Sequence, residues 1–168
     1  MLEVPRMASY ENGKVGRKLE LVPSFVAIVL TGLALIAPGA HLYELAHKIN
    51  MAADQYFVVQ GIYRGWWLAG LLLPAAFLAN CVLAATARDD AAAFAAALTA
   101  AALIVLNLVI FFIWTQPANA ATENWTMRPE SWEALRRQWE YSHAINAGVT
   151  FAAFCAATLA GLRAIARL

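Results

Sequence analysis

Apolar positions along the chain gather into four long runs, at residues 21–40, 66–87, 91–114 and 144–162. At ~1.5 Å of rise per helical residue, each run can cross a hydrocarbon layer of ~30 Å. Runs of this length with so few charges predict membrane-spanning helices. Only Ala87-Arg88-Asp89-Asp90 separates the second run from the third, so those helices are predicted to be antiparallel neighbours. The other two connections are longer and partly periodic. Leu42, Leu45, Ala46 and Ile49 continue the helical spacing of the first run, which predicts a helix extending past the bilayer, kinked at Pro38 and Gly39. Asp54 is placed to cap a helix running from Gln55 into the second run. Residues 115–127 are turn-rich and non-periodic, and from about Pro129 the chain reads as one helix entering the fourth run.

The predicted fold class is therefore all-α, an integral membrane antiparallel four-helix bundle with helical extensions and an aromatic cap on the non-cytoplasmic side. It divides into an N-terminal arm, residues 1–20, and a four-helix transmembrane domain, residues 21–168. The first run starts too far from Met1, and lacks an A-x-A cleavage site, so it is expected to be a retained helix and not a signal peptide. Composition agrees with this class: 62% of residues are hydrophobic and 14% charged, against ~25% charged in soluble proteins. Disorder is excluded on the same grounds. A net charge of +1 without a basic patch gives no surface for nucleic acid. Four spans put both termini on one side. That side holds Arg6, Lys14, Arg17, Lys18, Arg88, Arg163 and Arg167, against Lys48, Arg64, Arg128, Arg136 and Arg137 on the other, a bias that predicts cytoplasmic termini. Cys81 and Cys155 lie far apart in apolar runs and form no CxxC, which disfavours thiol–disulfide exchange and a thiolate zinc site.

The chemistry-bearing residues crowd at one end. His41, His47 and His143 all fall on the far side or at its boundary, with Trp66, Trp67, Trp114, Trp125, Trp132 and Trp139. Tyr43, Tyr56, Tyr63 and Tyr141 join them. An interfacial aromatic belt marks both membrane surfaces, whereas here one end is bare, which predicts a cap or pocket, a thick belt with partner contacts being the alternative. Tyr56, Gln60, Tyr63 and Trp67 share one helical stripe, with Arg64 beside it. Trp132, Arg136, Glu140, His143 and Thr150 share a broad face of the last helix, extended inward by Asn146, where Arg136 and Glu140 are spaced as an ion pair and Glu140 can orient His143. His41, Glu44 and Lys48 lie within two turns of the first helix, and Asn80 and Asn107 are single polar groups inside the spans.

Two chemistries fit this set. In one, a metal sits between His41-x-x-Glu44-x-x-His47 and Glu140-x-x-His143, although a di-metal bundle site uses ~4 carboxylates and only Glu44 and Glu140 are suitably placed. In the other, a metal-free pocket uses His41 or His143 as general base, tuned by Glu44 or Glu140, with Arg64, Arg136 or Arg137 stabilising an anion. A third account makes these groups mutual ion pairs that staple helices together. The expectation is that no obligatory metal or organic redox cofactor is bound, a single metal or haem held by His41 or His143 being the alternative.

The stretches GAHLYELAHKI, YFVVQGIYRGWWLAGLLLP and FIWTQPANAATENWTMRPESWEALRRQWEYSHAINAG make the chain resemble the bacterial branch of the DUF1772, or anthrone oxygenase-like, integral membrane family. The resemblance covers about residues 22–163. Its most specific part is NWT-x-x-P-x-x-W-x-x-LR-x-x-W-E-x-x-H, carried by Asn124, Trp125, Thr126, Pro129, Trp132, Leu135, Arg136, Trp139, Glu140 and His143. Where the family pattern has ELPNK, this chain has Glu44-Leu45-Ala46-His47-Lys48, so His47 departs from it. The resemblance implies four membrane helices in a bacterial inner membrane and cofactor-independent oxidation of a hydrophobic aromatic or phenolic compound. Under that reading His143, Glu140, His41, Glu44 and Arg136 are the candidate catalytic residues. Gln60, Tyr63, Arg64, Trp67, Asn107, Trp125, Trp132, Trp139 and Asn146 are the candidate substrate contacts, and no residue is assigned to a metal. The expected partners are the lipid bilayer and a hydrophobic small molecule, with a homo-oligomer or larger membrane complex compatible. The alternative function is a non-catalytic membrane subunit whose aromatic end docks a partner protein, lipid or pigment.

Overall fold

The computed structural model describes residues 21–166, which are almost entirely helical and contain no strand. The arm expected over residues 1–20 lies outside the described residues, and so do Arg6, Lys14, Arg17, Lys18 and Arg167 from the charge comparison. Four helices are long and apolar enough to cross a membrane: α1 (Leu21–Lys48), α3 (Trp66–Thr86), α4 (Ala91–Ala121) and α5 (Trp132–Ala166). A short helix, α2 (Ala53–Gln60), lies between the first two. The chain is thus an integral membrane protein by the length and hydropathy of its helices. Large side chains such as Phe25, Leu78, Phe112, Phe151 and Leu159 stay exposed along them, as lipid-facing positions require.

Each interruption has a local cause. Pro38 has no N–H to give the Ala34 carbonyl and its ring crowds that carbonyl, so α1 breaks one turn upstream, at Leu35. There the Leu35 N–H bonds Gly32 O at 3.2 Å, and Gly39 N resumes the ladder to Leu35 O at 2.9 Å. Pro117 acts likewise in α4, which widens into a π-helical segment, Phe111–Thr115, before continuing as Gln116–Ala121. The reading of residues 115–127 as turn throughout is therefore corrected: α4 runs to Ala121, and only the residues after it turn. Glu123, Asn124 and Trp125 follow in left-handed conformation at φ of 48°, 56° and 64°, which aims Trp125 back toward α2 and α5.

The helix expected to run unbroken from Gln55 into the second span is also corrected. α2 ends at Gln60, a 3-10 turn covers Gly61–Tyr63, and Gly65 adopts φ +91°, a conformation that glycine alone adopts without strain. Asp54 sits in the first turn of α2, whose N-cap is Ala52, and it makes no cap bond. By contrast Asp90 caps α4, accepting from the N–H groups of Ala92 at 2.9 Å and Ala93 at 3.1 Å, and it pairs with Arg163 near the end of α5.

Small residues let the four long helices approach closely. Ala27, Ala79, Leu83, Ala84, Ala97 and Ala160 form one buried layer, and Ala34, Ala76, Ile104 and Ala153 another. A Cβ on Gly161 would come within 2.8 Å of Ile28 Cδ1, so α1 and α5 nearly touch there. Between the layers Asn80 donates to Thr31 Oγ1 at 2.9 Å, and beyond the second layer Asn107 donates to Thr150 Oγ1 at 2.6 Å and to the Asn146 carbonyl at 3.3 Å.

Candidate functional site

The last turns of α1 carry His41, Glu44 and Lys48 with a spacing of three and four residues, and the first turns of α5 carry Arg136, Glu140 and His143 with a spacing of four and three. Both sets share a face of their own helix. The two faces meet, and α2 with its following turn adds Tyr56, Gln60 and Tyr63. Lys48 is at the centre. Only 2% exposed, its ammonium lies 3.0 Å from Glu140 Oε1, donates to the Tyr63 hydroxyl at 2.9 Å and stands 3.7 Å from Glu44 Oε2. It also lies over the rings of Tyr63 and Trp139, at 4.5 and 4.7 Å. Glu140 is fully buried and takes a second hydrogen bond from the Tyr56 hydroxyl at 2.9 Å, which in turn accepts from Gln60 Nε2 at 2.5 Å. Tyr63 donates its hydroxyl to Glu44 Oε2. An unbroken polar chain thus joins Gln60, Tyr56, Glu140, Lys48, Tyr63 and Glu44. Buried ions of this kind are costly in a membrane protein unless paired, and here each one is.

Burial, then the charge of Glu140, holds the Tyr56 phenol well above the usual tyrosine range. Burial and the bond to Glu44 do the same for Tyr63. Both hydroxyls therefore stay protonated and act as hydrogen-bond donors to carboxylates.

Beside this chain His41 and His143 pack ring to ring, their centroids 4.2 Å apart. Each meets the edge or face of Trp139, at 4.8 and 4.3 Å, and His41 also touches Tyr63 and Trp66. His41 is buried and its Nδ1 has no hydrogen-bond partner among the described residues, Glu44 Oε2 being 3.8 Å away. His143 is half-buried. Around the other flank Tyr56 packs with Trp125 and Trp132, and Trp125 with Trp139, whose indole N–H is fixed by Asn119 Oδ1 at 2.8 Å.

Several sequence expectations need correction. Arg136 and Glu140 do not pair: Arg136 donates to the Met51 carbonyl at 2.7 Å and stacks on Trp132 and Tyr56, while Glu140 turns to Lys48. Glu140 and His143 form no base-and-orienter hydrogen bond either: Lys48 and Tyr56 both approach Glu140 Oε1, and the buried Oε2 has no hydrogen-bond partner among the described residues. Arg64 and Trp67 are exposed, since the turn at Gly65 rotates the chain away after Tyr63 and breaks the expected stripe. His47 and Arg137 are exposed too. Asn107 and Asn146 are joined instead in a helix-packing group with Thr150, Asn107 donating to the Thr150 hydroxyl and to the Asn146 carbonyl. His41, Glu44, Gln60, Tyr63, Arg136, Glu140, His143, Trp125, Trp132 and Trp139 do come together. Lys48 and Tyr56 were missing from the candidate set. Spacing offered a signal for both: Lys48 is four residues after Glu44, and Tyr56 heads the stripe containing Gln60 and Tyr63.

Among the described residues no three His, Cys, Asp or Glu side chains are grouped to hold a metal. The cation between Glu44 and Glu140 is the Lys48 ammonium itself. An open groove lined by Met51, Asp54, Gln55, Val58 and Val59 runs along α2 and includes none of the cluster residues. Comparison with known protein families, with curated proteins and with solved structures finds no match to this chain.

Proposed function

We propose that the chain is a small inner-membrane oxidoreductase of the anthrone oxygenase-like kind, oxidising a hydrophobic aromatic or phenolic compound without a bound cofactor. In this reading the four long helices form an antiparallel bundle with both termini cytoplasmic. The cluster around Lys48 closes the opposite end as an aromatic cap. The contact of Arg163 with Asp90 supports neighbouring helix ends on the cytoplasmic side, and the buried layers shared by the four helices support the bundle. The observation that carries the functional reading is the His41–His143 pair, walled by Trp139, Trp66 and Tyr63 and set against a buried ammonium.

Such a site has the parts that oxidation of an acidic benzylic carbon needs. His143, the more accessible imidazole, takes a proton from the substrate. The aromatic walls hold the planar ring, and Lys48 stabilises the resulting anion. The carbanion then reacts with dioxygen. Oxidation of a methylene to a carbonyl removes four electrons, and dioxygen accepts all four, one oxygen atom staying in the carbonyl and the other leaving as water. Lys48 replaces the arginines as the anion-stabilising group, since Arg64 and Arg137 are exposed and Arg136 is held by Met51.

The test is oxygen uptake by the full chain in lipid nanodiscs with an anthrone as probe. The expected result is uptake above that of empty nanodiscs, falling by about 100-fold in His143→Ala. Uptake equal to empty nanodiscs, or unchanged in His143→Ala, overturns the reading. Tyr43 and Trp67, 85% and 73% exposed, favour the second reading, a docking subunit. A stoichiometric partner retained through purification, with no oxygen uptake, would support it.

A further inference from the structure

The polar chain through the cluster has more members than ion pairing requires. Lys48 and Glu140 neutralise each other at 3.0 Å, yet the path continues through Tyr63 to Glu44. Glu44 is the most accessible carboxylate of the set, its side chain 34% exposed. The donors along this path point one way: Lys48 gives to Tyr63, and Tyr63 gives to Glu44. A phenol can accept one proton while releasing its own, and an ammonium that releases a proton can take back another. We propose that Glu140, Lys48, Tyr63 and Glu44 form a proton relay between the buried carboxylate of Glu140 and the water-accessible carboxylate of Glu44.

One transfer runs as follows. With a proton on Glu140, Lys48 passes an N–H proton to the Tyr63 oxygen as Tyr63 passes its own to Glu44 Oε2. Neutral Lys48 then regains a proton from Glu140, and Glu44 releases one to water. One proton leaves Glu140 and one appears in water, no electron moves, Lys48, Tyr63 and Glu44 return to their starting states, and Glu140 is left as the carboxylate. The charged and titratable groups packed against this route are His41 on α1, Tyr56 on α2, and Arg136 and His143 on α5. Tyr56 donates to Glu140 but does not lie between Glu140 and Glu44, so it is a side branch. That the relay disposes of a substrate's proton rests on the proposed oxidation; the transfer itself does not.

The experiment uses the full chain, labelled with 15N-lysine, in lipid nanodiscs without substrate. The chain has three lysines, Lys14, Lys18 and Lys48, and loss of one signal in Lys48→Arg assigns the buried one. The readout is the exchange rate of the Lys48 Nζ protons with water. Tyr63→Phe, which keeps the ring and removes the relaying hydroxyl, is expected to slow exchange about tenfold or more, while Tyr56→Phe leaves it within about twofold. Glu44→Gln, at a partly exposed position that tolerates the change, is expected to slow it as well. Unchanged exchange in both Tyr63→Phe and Glu44→Gln, or equal slowing in Tyr56→Phe, overturns the relay. Because no substrate is present, a failed relay is distinguishable from a failed oxidase, which oxygen uptake reads separately.

Discussion

Replacing Lys48 by methionine tests how much the cluster depends on one buried charge. Methionine preserves most of the side-chain volume, so packing loss is small, and the effect isolates the ammonium. At 3.0 Å from Glu140, a unit charge pair is worth about 5–6 kcal/mol at an effective dielectric near 20. Part of that is offset by the cost of dehydrating Lys48, which vanishes with the residue. What remains is a fully buried Glu140 with Tyr56 as its only side-chain donor among the described residues. Breaking a buried pair from one side costs about 3–5 kcal/mol, and that is the expected loss for Lys48→Met. Removing both charges in Lys48→Met/Glu140→Gln should recover most of it, since exchange of a whole buried pair for neutral groups is close to neutral. The assay is helix loss by circular dichroism during a detergent titration in mixed micelles, run as a double-mutant cycle. A single mutant within about 1 kcal/mol of wild type, or a double mutant as unstable as the sum of the two singles, refutes the assignment of Lys48 as the partner of Glu140.

Two further predictions concern the packing. The N–H of Ala93, with Arg163 and the N–H of Ala92, holds the Asp90 carboxyl below its ordinary value; its contribution is present above the usual carboxylate range and is lost as pH falls through that range, so stability followed by circular dichroism should lose part of its acid dependence in Asp90→Asn. Asn107→Ala removes the bond to Thr150, while the Thr150 hydroxyl keeps its bond to the Asn146 carbonyl; the same mixed-micelle titration should show a loss of about 0.5–2 kcal/mol.

The helices were legible because a membrane span advertises itself by length and hydropathy alone, without reference to any neighbour. The kink in α1 was legible too, since Pro38 acts on the carbonyl four residues before it. What was not legible is how a helix behaves where it leaves the apolar run. In α4, residues 115–127 read as turn-rich, but in the structure the turn before Pro117 widens into a π-helical segment and the helix continues to Ala121. After α2, Gly61 and Gly65 were compatible with a continuous helical stripe, whereas the 3-10 turn at Gly61–Tyr63, the extended Arg64 and the positive φ at Gly65 make the break that sends Arg64 and Trp67 outward. Periodicity assumes that the helix persists, and it carries no information on where a glycine ends it.

The same limit governed the site. Residue types and one-helix spacing were enough to gather His41, Glu44, Glu140 and His143 as candidates, because those groups needed only to share a face. Pairing was another matter. Spacing favours the partner a turn away, and so it matched Glu140 with Arg136, yet helix exits bring competitors from other elements. At the end of α1 Lys48 comes within 3.0 Å of Glu140, and the Met51 carbonyl, freed by the turn after α1, takes Arg136 instead. Once Arg136 is drawn to Met51 and stacked on Trp132, with Arg137 exposed and Arg163 paired with Asp90, no cation of its own helix is paired with Glu140, and burying it requires one from elsewhere. A lysine at the end of a span would by itself be read as reaching for the interface. Its 2% exposure follows from the unmet demand of a carboxylate 92 residues away in sequence, and that demand is set by tertiary contacts that no pattern within α1 encodes.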